Sequence, residues 1–311
     1  MTSPGLQQLE ASEAISTPGL AQAELVERFL RWESPEIVAD FFRLRAEADE
    51  AIYAAAHARG AVGELAGYPI GFCRPIRDFG LSRLLASGAG DPSRPALAAV
   101  VAFRGAGGIV KGVWGVQKGI YFQNAIQIGH LWCDLSNDTV DPRRPAVEVC
   151  RLADARFEEI PSFELFARVA ALYWDEEAYP NHVFPEIAAV LPVILVSSTG
   201  RMRIPAPKTL LPRNIRLDYA LAEEFLASGD FASRTLPEHL LDQLARASRS
   251  RSGWFARDPA WCRRFDPTLG PADAGRLIAA ERQAVAGLGE RDLLGRFFEM
   301  IHCTIGPVAV S

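Results

Sequence analysis

The chain has 311 residues, of which 49% are hydrophobic and 23% charged, with a net charge of −5 and a pI near 5.7. This composition excludes wholesale disorder, and the acidic balance gives the whole molecule no field that would attract nucleic acid or anionic lipid. A chain of this length builds one large domain or two ordinary ones.

Residues 1–20, rich in Ser, Thr, Pro and Gly, read as a flexible N-terminal tail. Residues 21–65 read as N-terminal helices. Leu25, Phe29 and Leu30 share one face, and Ser34-Pro35 forms a cap followed by proline at the first helical position. From there Ile37, Phe41, Leu44, Ala48, Ile52 and Ala55 recur at helical spacing until Gly60 supplies a stop.

Residues 66–215 read as a β-rich core with one inserted helix. Its β-favouring runs are "ALAAVVAFRG", "GIVKGVWGV", "GIYFQNAIQIGHLWCD", "AVEVCRL", "LPVILVSS" and "MRIP", separated by Gly and Pro. "RGAGG" at 104–108 reads as a hairpin connection, and 162–175 as a helix capped by Ser162. Residues 216–311 form a C-terminal helical region. The order helices, strands, helices predicts an α+β fold: a mixed, mainly antiparallel sheet flanked by N-terminal and C-terminal helices.

The stretch "GIYFQNAIQIGHLWCDLSNDTV", 119–140, holds the first candidate chemistry. Read as one strand over 119–134, its alternation sends Ile126, Ile128, His130, Trp132 and Asp134 to one side. Polar groups on an apolar side mean either a satisfied core network or a pocket wall. His130 and Asp134, with His182 from "YPNHVFPE", are the candidate acid–base residues. A two-His-one-carboxylate metal site is disfavoured, because positions four apart on a strand lie roughly 13 Å from each other. Nor does 134–145 make a calcium loop, since the sixth-position glycine and terminal glutamate are absent. No metal is expected.

"VILVSSTGRMRIP", 193–205, holds the second candidate. Ser197, Ser198 and Thr199 with Arg201 and Arg203 could hold the anionic group of a substrate. The competing reading is a hairpin with Ser-Thr-Gly-Arg at its tip. The arginines and aromatics of 246–265 could bind single-stranded nucleic acid, but the acidic chain makes a solvated connector the better reading. Glu299 and His302 have the spacing of one half of a di-iron site, and no second half exists. Phosphate-loop, dinucleotide, hydrolase-elbow and zinc-protease motifs are absent, and no pattern names a cofactor.

Five scattered cysteines without a C-x-x-C pair imply a reducing compartment, and the N-terminus has no leader pattern. The expected location is the cytoplasm. The leading functional expectation is an enzyme that acts on a small anionic molecule by general acid–base chemistry, without nucleic acid or membrane partners. The alternatives are a non-enzymatic regulatory protein using its C-terminal helices, and a metal-dependent oxygenase.

Overall fold

The structure, a computed structural model, describes residues 13–86, 93–228, 230–250, 265–289 and 291–296. The fold is α+β, and every strand pair is antiparallel. The strands form two sheets, one in each of two compact units that divide between Glu159 and Ile160.

The first unit opens with α1 (Leu20–Phe29) and α2 (Pro35–Ala58). Ser34 Oγ accepts the N–H of Ile37, and Pro35 occupies the first turn, as the cap pattern predicts. α3 (Cys73–Ala86) and α4 (Pro95–Gly105) follow. The start of α4 is capped from a distance. The buried carboxylate of Asp40 on α2 accepts the Ala96 N–H at 2.9 Å and pairs with Arg94 Nε at 2.5 Å. This places a negative charge at a helix N-terminus, where the dipole favours it.

The first sheet contains β1 (Val110–Gln117), β2 (Tyr121–Ile128), β3 (Leu131–Asp134), β4 (Glu148–Arg151) and β5 (Phe157–Glu158), in the order β4-β3-β2-β1-β5. Ile126, Ile128, Leu131 and Cys133 point to the helices and join Phe41, Leu44, Ile76, Leu84, Val100 and Phe103 in one core. α3 comes close to the sheet at Gly80, where an added Cβ would lie 2.2 Å from Leu135 Cδ1. Only glycine permits that approach.

Two sequence expectations are overturned in this unit. Residues 95–105, read as a β run, are helix α4, and 73–86 is a helix within the span expected to be β-rich. Pro95 at the first turn and five alanines between 96 and 106 favour helix over strand. "RGAGG" therefore joins a helix to a strand, with Gly107 at φ +91. The second correction concerns 119–134, which is a hairpin and not one strand. Ile128 pairs with Leu131 across a two-residue turn, with Gly129 at φ +58 in its first position. Glycine is favoured there because that turn geometry needs a positive φ.

The hairpin changes which residues share a face. Since Ile128 faces Leu131, even positions of β2 lie beside odd positions of β3. Asp134 and Trp132 therefore join Tyr121, Gln123 and Gln127, on the face opposite Ile126 and Ile128. His130 belongs to the turn itself.

The second unit contains α5 (Phe163–Trp174), β6 (Glu176–Pro180), β7 (Val193–Ser197), β8 (Met202–Arg203), α6 (Leu210–Arg216), α7 (Ala220–Ala227), α8 (Glu238–Ser250) and α9 (Ala274–Val285). Ser162 Oγ accepts the Leu165 N–H and caps α5, as its sequence predicts. α5 packs on β6 and β7, α7 packs on α9, and Phe163, Phe166, Ile194, Leu195 and Phe225 are buried. Residues 251–264, most of the arginine–aromatic stretch, lie outside the described residues, as do Glu299 and His302. Among the described residues no helix is long and apolar enough to cross a membrane.

Candidate functional site

The polar face of the five-stranded sheet gathers Gln117, Tyr121, Gln123, Gln127, Trp132 and Asp134, all buried. Burying so many polar side chains is costly unless each finds partners. Asp134 finds three donors. Its Oδ2 accepts from Gln123 Nε2 at 2.5 Å, and its Oδ1 accepts from the Ser136 N–H at 2.7 Å. Ser136 Oγ lies 2.9 Å from the same Oδ1 and 3.2 Å from the Asn124 carbonyl oxygen.

That last pair of distances matters chemically. A hydroxyl has one hydrogen to donate. With Asp134 ionised, Ser136 donates to the carboxylate. With Asp134 protonated, the carboxyl donates to Ser136 Oγ and Ser136 turns its hydrogen to Asn124. Both protonation states are hydrogen-bonded, so neither leaves the buried carboxyl or the Ser136 hydroxyl unpaired. Burial pushes the Asp134 carboxyl up to about 7, against the opposing hydrogen bonds from Gln123 and Ser136.

The loop that carries Ser136 is held by Arg45 of α2. This buried guanidinium donates to the Leu135 carbonyl at 3.0 Å and to Asp138 at 2.6 and 3.2 Å, and its Nε pairs with Asp49 at 2.7 Å. A second chain of hydrogen bonds leads inward from the rim. Arg144 Nη1 donates to the Tyr121 hydroxyl at 2.6 Å, Tyr121 donates to Gln117 Oε1 at 3.0 Å, and Gln117 Nε2 donates to the Ala155 carbonyl at 3.1 Å. Burial raises the Tyr121 phenol, so it stays a donor at neutral pH. Burial likewise pushes up the thiols of Cys73, Cys133 and Cys150, which keeps them protonated and poor nucleophiles.

His130 and Asp134 sit at opposite ends of β3 and share no hydrogen-bond partner. The His130 carbonyl accepts from the Leu152 N–H, and its Nδ1 is buried without a hydrogen-bond partner. His182, Ser197, Ser198, Thr199, Arg201 and Arg203 belong to the second unit. His182 Nε2 lies 3.0 Å from the Leu226 carbonyl oxygen, which can only accept, so Nε2 carries the hydrogen. Burial lowers the imidazole pKa and favours the neutral ring.

Ser197 to Arg201 come together as the tip of the β7–β8 hairpin, with Gly200 at φ +77. The polar groups there bond one another. Ser197 Oγ lies 2.9 Å from Thr199 Oγ1 and accepts from the Arg201 N–H at 3.1 Å. Arg203 is turned to Glu176, which it grips with Nε and Nη2 at 2.6–3.1 Å, and its guanidinium lies over the Trp174 ring at 4.2 Å.

The Asp134 network was missed from sequence because the single-strand reading placed Asp134 beside Ile126. Its signal was present: Tyr121, Gln123 and Gln127 alternate, and Gly129 marks a turn. Among the described residues no group of three His, Cys, Asp or Glu side chains is arranged to hold a metal. No family model, curated protein or solved structure matches this chain.

Proposed function

We propose that the protein is a cytoplasmic enzyme acting on a small anionic molecule by acid–base chemistry, with Asp134 as the group that exchanges the proton. The observation that carries this reading is the Asp134–Ser136–Asn124 arrangement, in which a buried carboxyl poised near neutrality has hydrogen-bond partners in either protonation state. A general acid or base works best when its pKa lies near the operating pH, and such shifted groups concentrate at functional sites. Gln123 orients the carboxyl, and Ser136 relays the hydrogen.

Arg144 supplies the positive charge for an anionic substrate. It sits half-buried at the rim, fixed against Tyr121 by one hydrogen bond and by its place over the ring at 5.3 Å. Guanidinium groups suit carboxylates and phosphates. Two measurements test the reading separately. A carbon NMR titration of the Asp134 carboxyl should give a midpoint near 7; an ordinary carboxylate midpoint near 4 removes the acid–base role. Citrate, used as the probe anion, should raise the melting temperature of the wild type and not that of Arg144→Ala. An equal response from both proteins removes the anion site.

A further inference from the structure

Residues 13–17 cross the polar face of the five-stranded sheet and are held there by side chains, not by a strand ladder. The Gln127 amide takes both main-chain groups of Ser16: Oε1 accepts the Ser16 N–H at 2.9 Å, and Nε2 donates to the Ser16 carbonyl at 2.7 Å. The second Nε2 hydrogen goes to the Gly129 carbonyl at 2.9 Å. Ile15 packs against Val113, Ala125, Trp132 and Ala155. Glu13 meets Nη2 of Arg77, which comes from α3 on the helix side of the sheet, at 2.9 Å, and Lys111 Nζ lies 3.5 Å from Ser16 Oγ.

Each of these contacts reads a different property of a peptide: a carboxylate, an apolar side chain two residues on, and then a main-chain amide next to a small polar residue. Gln127 is fully buried. With the segment in place its amide is matched on both sides by main-chain groups, those of Ser16 and the Gly129 carbonyl, a pairing that suits a peptide occupant. The helix that follows is held independently of the segment. α1 has its own anchor, since Gln22 Nε2 donates to the Gly107 carbonyl and Gln22 Oε1 accepts the Ile109 N–H.

We propose that this face is a recognition site for a short peptide of the pattern acidic–x–apolar–small, occupied in cis by the chain's own Glu13–Ser16. This inference goes beyond the acid–base reading and does not depend on it. A cis occupant on a short tether competes at an effective concentration on the order of millimolar, so it masks the site from a peptide supplied in trans. A partner segment of the same pattern gains access when the cis segment is weakened or displaced.

The test uses the full chain and a fluorescent peptide Ser-Glu-Ala-Ile-Ser-Thr-Pro, matching residues 12–18. The full-chain variant Ile15→Asp, which loosens the cis segment, should bind this peptide at least tenfold more tightly than the wild type does. It should ignore a peptide carrying Ile→Asp. Amide exchange at residues 13–17 of the wild type should be faster than in the middle of α2, because the segment opens locally. Ser16→Pro, which removes the N–H given to Gln127, is a second way to empty the site. The proposal is overturned if neither variant binds the peptide better than wild type, if the Ile→Asp peptide binds equally, or if residues 13–17 exchange only with global unfolding. It is equally overturned if both variants fail to fold, since the segment would then be core and not ligand.

Discussion

The two sheets treat polar side chains in opposite ways. On the five-stranded sheet, Gln117, Gln123, Gln127 and Asp134 are buried and hydrogen-bonded to protein groups. On the three-stranded sheet, Arg203 faces Glu176 with about a third of its side chain exposed, and the hairpin-tip hydroxyls remain near water. The residue types alone would favour the second sheet as the chemical one, since it carries the arginines and the Ser-Ser-Thr run. Burial reverses that ranking. A carboxyl withdrawn from water is shifted towards neutrality, even against the neutral donors that hold it, whereas a surface ion pair gains little from its charges.

The largest effect should come from charging the wrong face of the first sheet. Ile126 is fully buried against the helices, in the core shared with Phe41, Leu44 and Phe103. Ile126→Asp puts a carboxylate there without a partner, at a cost of several kcal/mol, comparable with the roughly 5–15 kcal/mol that holds a domain together. The first unit should lose its cooperative melting transition. A soluble variant with an unchanged melting curve would remove the assignment of this face.

Asp134→Asn comes next and acts on the opposite face. The folded carboxyl sits near 7, above its unfolded value, so the folded state binds the extra proton between about pH 4 and pH 7. The stability tied to this group is fully present below about pH 4 and is lost as the pH rises through 7. At about 1.4 kcal/mol per pH unit, the loss is about 4 kcal/mol across the window. A carboxamide cannot ionise, so Asp134→Asn should flatten this slope, while its Nδ2, facing either the Gln123 amide or the Ser136 N–H, should make it less stable than wild type at pH 4. Denaturant midpoints at pH 4, 6 and 8 check this. Parallel pH profiles for the two proteins would mean that Asp134 is already ionised when folded.

Much of the fold was legible in the sequence, this contrast was not, and the unread part has physical causes. The caps at Ser34 and Ser162 were readable because capping is local: a side chain meets a main-chain N–H three residues on. The α+β class followed from element order. The helix at 95–105 was not read, because an alanine- and valine-rich run carries no clear period and its decisive cap, Asp40, lies 56 residues before Ala96. The face bearing Asp134 was misread for a reason of parity, since one two-residue turn exchanges the faces of every residue beyond it. The anion candidates at 197–203 were readable as residue types, but the grip of Glu176 on Arg203 comes from 27 residues away. Local rules are visible in one dimension, and the partners that set burial and charge are not.

A smaller effect links the helices to the candidate site. At Gly80 an added Cβ would meet Leu135 Cδ1 at 2.2 Å, with Ile126 Cδ1 at 3.5 Å behind it. Gly80→Ala should therefore cost about 1–3 kcal/mol, the range for overpacking a tight core. Leu135 separates Asp134 from Ser136, so the push reaches this hydrogen-bonded pair through the backbone. The carboxyl titration should shift in Gly80→Ala while the fold survives. An unshifted midpoint would show that the hydrogen bonds of Gln123 and Ser136 hold against that strain.

The smallest effects belong to the second sheet, where the comparison is most exposed to correction. Arg203→Ala removes a two-point grip on Glu176 and the contact with Trp174. Both partners keep some access to solvent, so the cost should be about 1 kcal/mol. Arg201 is exposed at the hairpin tip, and Arg201→Ala should change stability by less than about 0.5 kcal/mol, as surface substitutions do. The sharper readout is the response to anions. If phosphate, sulfate or citrate raises the wild-type melting temperature and Arg201→Ala abolishes the rise, the Ser197–Arg201 tip binds an anion, and the second sheet carries chemistry after all. If the rise survives Arg201→Ala but disappears in Arg144→Ala, the anion binds at the rim of the first sheet, where the buried carboxyl is. The two arginines thus locate the anion on one sheet or the other by the same measurement, without knowledge of the substrate.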